Sequence, residues 1–117
     1  MIGATESDVA IIAVGAAIPE RILTNDEISQ LVETDDAWIV ERTGIRERRF
    51  AAEGESTATM ATIAARQALA RAKLKPADVD LVIVGTCTPD FQFPATACLV
   101  QASLGAERAG AFDIEAA

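Results

Sequence analysis

The 117 residues carry 18 acidic against 10 basic side chains, a net charge of −8, and half of them are apolar. That length allows one domain with a modest core, and that charge argues against nucleic acid or an anionic membrane surface as a partner. Two cysteines and no histidine offer no convincing zinc site, so no metal is expected. No apolar run of membrane-spanning length and no basic-then-apolar leader stands out, so a cytoplasmic protein is expected.

In chain order, Met1–Asp8 is polar and acidic and reads as a frayed start. Val9–Ala16 is a nearly continuous apolar run closed by Gly15 and Pro19, which predicts a strand buried on both faces. Thr24 or Asn25 is the expected cap of a helix carrying Ile28, Leu31 and Val32. A short helix around Trp38 follows, then an alternating segment, Ile45–Phe50, with Arg46 and Arg48 on one side. Ala51–Glu55 reads as a loop, and Ser56 or Thr57 caps a long alanine-rich helix to about Ala72. Lys75–Asp78 turns the chain into a second buried strand, Leu81–Gly85. Pro94 opens a helix running to Leu104 with Gly105 as its stop, and Ala111–Glu115 is the third strand. Strands alternating with helices imply parallel pairing through right-handed crossovers. With few aromatics and much alanine, the elements are expected to approach closely.

The segment Thr34–Arg46 holds the only tryptophan, set four residues before Arg42. Residues at that spacing share a helix face, roughly 5–6 Å apart at Cβ. Thr34, Asp35 and Asp36 offer oxygens to the first-turn amides, and Gly44 can take the left-handed conformation that ends a helix. An indole beside a guanidinium can stack on a flat base while holding a phosphate. Arg42, Arg46, Arg48 and Arg49 form a basic cluster in an acidic chain, suited to drawing in anions or to pairing with Glu41, Glu47 and Glu53. Cys87, at a strand's C-terminal end, and Cys98, in a helical pattern, read as reduced and largely structural.

The whole string resembles the N-terminal region of β-ketoacyl-acyl-carrier-protein synthase III. The family's Asp-x-Trp-Ile-x-x-Arg-Thr-Gly-Ile-x-x-Arg is matched by Asp36, Trp38, Ile39, Arg42, Thr43, Gly44, Ile45 and Arg48. Gly15–Asn25 is similar to its Gly-x-x-x-Pro-x-x-x-x-Thr-Asn, and Phe93–Ala95 and Ala111–Ala117 are similar to two later segments in order. The resemblance implies an α/β fold, the thiolase-like layered αβαβα, with residues 1–117 as part of its N-terminal half within one ketosynthase domain. It also implies a condensing acyltransferase that joins an acyl-CoA primer, acetyl-CoA by preference, to malonyl-acyl carrier protein with loss of carbon dioxide.

The nucleophilic cysteine of that pattern is expected immediately after Ala117, and its histidine and asparagine farther on, so no catalytic residue is expected within this chain. The resemblance assigns Thr34, Trp38 and Arg42 to coenzyme A, with Trp38 stacked on adenine and Arg42 bracketing its other side or holding phosphate. It assigns Phe93 to the acyl pocket across a homodimer, where a bulky ring favours a short primer; a core Phe beside Pro94 is the alternative. It requires no metal and no bound redox cofactor. Two other readings compete: a related ketosynthase or acyltransferase of secondary metabolism, and a non-catalytic nucleotide- or partner-binding fragment. Neither a Walker loop nor a Gly-x-Gly-x-x-Gly after a strand supports the last.

Overall fold

The structure, a computed structural model, describes residues 9–115, which divide into two units: 18–56, and 9–17 together with 57–115. The expectations for Met1–Asp8, Ala116 and Ala117 lie outside the described residues.

In the unit 18–56, strand β1 (Arg21–Thr24) leads directly into helix α1 (Asn25–Ser29), followed by helix α2 (Asp36–Thr43) and strand β2 (Glu47–Phe50). The strands pair antiparallel, Arg21 opposite Phe50 and Thr24 opposite Glu47. Arg21 sits over the Phe50 ring, 5.5 Å from its centroid, a cross-strand contact. Arg49 donates to the Pro19 and Glu20 carbonyls at 3.3 and 3.2 Å. Leu23 and Ile39 are the buried apolar side chains of this unit.

α1 starts with a reciprocal cap. The Glu27 amide donates to Thr24 Oγ1 at 3.2 Å, and the Thr24 amide donates to the Glu27 carboxylate at 2.8 Å. The Thr24 amide and hydroxyl hold the Glu27 carboxyl below its usual value against the opposing effect of burial, with Arg21 adding to the fall. The helix is shorter than the apolar spacing suggests. The Leu31 and Val32 amides both turn back to the Ile28 carbonyl, at 2.9 and 3.1 Å, which closes the last turn and leaves both residues outside it.

The second unit holds helix α3 (Thr57–Ala72), strand β3 (Leu81–Gly85), helix α4 (Thr96–Leu104) and strand β4 (Gly110–Ile114). β3 and β4 pair in parallel, Leu81 opposite Gly110 and Gly85 opposite Ile114, with α4 in the connection. Its buried side chains are small: Ala58, Ala97, Val100, Ala106 and Ala109, with Thr62 and Thr96. Small side chains let helix and sheet backbones come close, which is what the alanine-rich composition anticipates. Arg66 donates to the Ser103 carbonyl at 2.6 Å and ties α3 to the end of α4.

Two carboxylates from elsewhere in the chain cap these helices. Asp90 accepts from the Ala58 amide at 3.1 Å, at the start of α3. Asp113, on β4, accepts from the Thr96 and Ala97 amides at 2.6 and 2.7 Å, at the start of α4. Unpaired first-turn amides and the positive end of the helix dipole favour an anion at such a position. Burial raises the Asp113 carboxyl, but the Ala97 and Thr96 amides, with the Thr96 side chain, outweigh it and hold the group below its ordinary value.

The expected strand Val9–Ala16 is not formed. Residues 9–19 have no strand ladder, and Ile11 and Ile12 are exposed. The run instead bonds to α3: the Ala16 amide donates to Gln67 Oε1 at 2.9 Å, and Arg71 donates to the Val14 carbonyl at 2.8 Å. Gly15 lies so close to α3 that an added Cβ would collide with the Ala64 carbonyl oxygen. The parallel pairing expected of the apolar strands holds for β3 and β4, whereas the antiparallel pair of β1 and β2 was not anticipated, since β1 had no signal in the apolar pattern. β1 is four residues long with one inward side chain, Leu23, too little for an alternation to show. The remaining helices and strands lie within two residues of their expected bounds. No helix among the described residues is long and apolar enough to cross a membrane.

Candidate functional site

α2 is built by its two ends. Asp35 stands outside the helix with extended backbone, and its Oδ1 accepts the Trp38 amide at 2.8 Å. Such a cap is worth about 1 kcal/mol. Gly44 closes the other end at φ 71°, its amide donating to the Val40 carbonyl at 2.8 Å. A side chain at that φ would be strained, so Gly44 lets the chain turn out of the helix at low cost. The buried Ile39 anchors the helix, which leaves its neighbour Trp38 half-exposed at 52%.

Trp38 and Arg42 meet as the spacing predicts, with the guanidinium carbon 4.8 Å from the indole centroid. The guanidinium lies on the indole itself, while Trp38 as a whole stays half-exposed. An exposed cation–π contact is worth only about 0.5–1 kcal/mol, little enough for Arg42 to be drawn away by a phosphate.

Beside the indole is a cleft of about 570 Å³. Ile28, Val32, Trp38 and Ile39 form its apolar walls, and Glu33, Thr34 and Asp35 its polar edge. Thr34 is half-buried, and its hydroxyl oxygen is buried with no hydrogen-bond partner among the described residues. An apolar slot bordered by a half-exposed indole suits a heteroaromatic base. The carboxylates beside it can accept from an exocyclic amine, and Arg42, on the indole, can offer positive charge to a phosphate.

Thr34, Trp38 and Arg42 are thus brought together in the unit 18–56, whereas Phe93 belongs to the other unit. Phe93 is 90% exposed on the loop after β3, next to a cis peptide bond to Pro94. The basic cluster separates into distinct roles. Arg49 holds backbone carbonyls, Arg48 donates to Asn25 Oδ1 at 3.0 Å, Arg42 lies on Trp38, and Arg46 is exposed. Cys98 is half-buried, with its thiol 3.9 Å from the Ala111 carbonyl. Cys87 is exposed at the C-terminal ends of the parallel strands, in a recess with Gly85, Thr86 and Ile114.

Residue-pattern reading missed Asn25, which it took only as an alternative cap. Asn25 is buried and binds Asp36, Ile45 and Arg48, residues 11 to 23 positions away. Its one signal was membership of the Thr24-Asn25 pair in the family pattern.

No protein-family model matches the chain. It is 59% identical over 108 residues to the β-ketoacyl-[acyl-carrier-protein] synthase III of Roseiflexus castenholzii, covering 92% of this chain and 33% of that protein. The crystal structure of 3-oxoacyl-[acyl-carrier-protein] synthase III from Aquifex aeolicus superposes with a TM-score of 0.85 at 51% identity, over 91% of this chain and 34% of the other. The priming β-ketosynthase of the R1128 polyketide pathway matches with a TM-score of 0.85 at 38% identity, over 91% of this chain and 32% of the other. The chain spans about a third of the length of the curated relatives it matches.

Proposed function

Because this chain is 59% identical to a third of one β-ketoacyl-[acyl-carrier-protein] synthase III and superposes on a third of another, we propose that the complete protein is a condensing acyltransferase of that kind. In this reading a cysteine thiolate elsewhere in the complete protein takes the acyl group from acyl-CoA, and coenzyme A leaves as its thiolate. Malonyl-acyl carrier protein then loses carbon dioxide, and the resulting enolate carbon attacks the enzyme thioester. The products are 3-ketoacyl-acyl carrier protein and the regenerated thiolate. This chain holds no histidine, so any histidine in that step comes from another part of the protein.

The residues of this chain serve entry rather than bond-making. The observation that carries the reading is the Trp38–Arg42 pair beside the cleft, Cζ 4.8 Å from the ring centroid, within a family-patterned α2. Trp38 stacks on the adenine of coenzyme A, Thr34 lines the same slot, and Arg42 swings from the indole toward phosphate. Phe93, already exposed, reaches the acyl pocket of a second subunit, which makes the working form a homodimer. Acetyl is the primer that a bulky ring at that position favours.

A specialised priming ketosynthase is the second reading, favoured by the 38% identity to the R1128 enzyme. Both are tested by incubating the complete protein with acetyl-CoA and malonyl-acyl carrier protein. The first reading expects one acetyl group added to the protein and acetoacetyl-acyl carrier protein formed with release of carbon dioxide. Acylation only by other acyl-CoA thioesters favours the second, and no acylation by any thioester contradicts both.

A further inference from the structure

Asn25 is 1% exposed, yet every polar atom of its side chain is engaged. Its amide nitrogen donates to Asp36 Oδ1 and to the Ile45 carbonyl, each at 2.8 Å, and its oxygen accepts from Arg48 Nη2 at 3.0 Å. The orientation of the amide follows from these partners, because carboxylate and carbonyl oxygens only accept and a guanidinium only donates. Its backbone amide adds a bond to the Arg46 carbonyl at 3.3 Å. One residue therefore grips the first residue of α2, the two residues beyond its glycine cap, and the strand β2. Trp38 lies between those grips.

We propose that Asn25 is a positioning residue for the coenzyme-A entrance: it fixes α2 so that Trp38 faces the cleft. The proposal rests on the entrance reading above. α2 is eight residues long, too short to hold its orientation by its own backbone bonds. Its other anchors are Ile39 in the core and the Asp35 cap. If the Asn25 grip is released, α2 samples orientations in which the indole is turned away, and apparent affinity falls by the fraction that remains competent.

Asn25→Ala would strand Asp36, the Ile45 carbonyl and Arg48 together and threatens the fold. The sharper variant is Asp36→Ala, which cuts one strut at an exposed residue and leaves the other bonds of Asn25 in place. In the complete protein, Asp36→Ala raises KM for acetyl-CoA about fivefold with kcat unchanged, the loss expected for one hydrogen bond. KM for acetyl-pantetheine, which has no nucleotide, stays put. Asp36→Asn keeps an acceptor oxygen without the charge and restores the wild-type KM.

The proposal is overturned if Asp36→Ala leaves KM for acetyl-CoA unchanged or raises both KM values alike, or if Asp36→Asn is as impaired as Asp36→Ala. Trp38→Ala run beside them separates the two levels. If it too fails to discriminate acetyl-CoA from acetyl-pantetheine, the entrance reading falls and takes this inference with it. If it discriminates and Asp36→Ala does not, only the positioning role of Asn25 is lost.

Discussion

Four positions apart on one helix, Trp38 and Arg42 come into contact, with the Arg42 guanidinium carbon 4.8 Å from the indole centroid. Their pairing was legible in the sequence because it depends only on local helical geometry, which Asp35 and Gly44 secure within ten residues. Phe93 behaves differently. Its ring is 90% exposed on the loop after β3, in the unit that does not hold the cleft, and its part in an acyl pocket is a proposal. Phe93→Ala in the complete protein should raise kcat/KM for a six-carbon primer relative to acetyl-CoA by about tenfold, the scale on which a pocket reads methylene groups. Competition between the two thioesters measures it, and an unchanged ratio removes Phe93 from primer selection. Asn25 shows the limit of local reading. Its meaning lies in bonds to Asp36, Ile45 and Arg48, and nothing in a linear pattern announces partners that only folding brings together.

At the level of elements, the helices α2, α3 and α4 were legible because apolar spacing agrees with at least one end signal in each: Asp35 and Gly44 for α2, the Ser56-Thr57 pair for α3 and Gly105 for α4. Apart from the early end of α1, the misreadings fell on extended chain. Val9–Ala16 has the composition of a strand buried on both faces, but a strand is defined by a paired neighbour, and its bonds here go to Gln67 and Arg71 of α3. β1 is the reverse case, a paired strand whose composition does not declare it. The long-range caps were equally hidden, since Asp113 is 17 residues from Thr96. Because the folded state holds the Asp113 carboxyl below its unfolded value, the unfolded chain binds more protons between the two. Its contribution to stability is therefore complete above the unfolded carboxylate range and disappears as pH falls through the lower, folded value. Asp113→Asn should lower the urea midpoint of the complete protein at pH 7 and flatten its fall toward acid. A variant with the wild-type midpoint and acid slope would show that the cap contributes nothing.

Across the molecule, the two units divide the work. The unit 18–56 contains the cleft and the tryptophan–arginine pair, and the unit 9–17 with 57–115 contains the parallel strands and the loop bearing Phe93. The β3–β4 pair carries Leu81, Ile83, Phe112 and Ile114 at 40–50% exposure, though their composition reads as buried. Apolar content states what a strand would bury, while coverage depends on what packs against it. The central claim is that the Trp38 cleft receives the nucleotide end of coenzyme A. The most direct test is the ratio of kcat/KM for acetyl-CoA to that for acetyl-pantetheine, measured for the complete protein and its Trp38→Ala variant. The account predicts a wild-type preference for acetyl-CoA that falls at least about tenfold in the variant, with acetyl-pantetheine untouched, as expected for loss of one stacking platform. A variant that keeps the full preference for acetyl-CoA would contradict it.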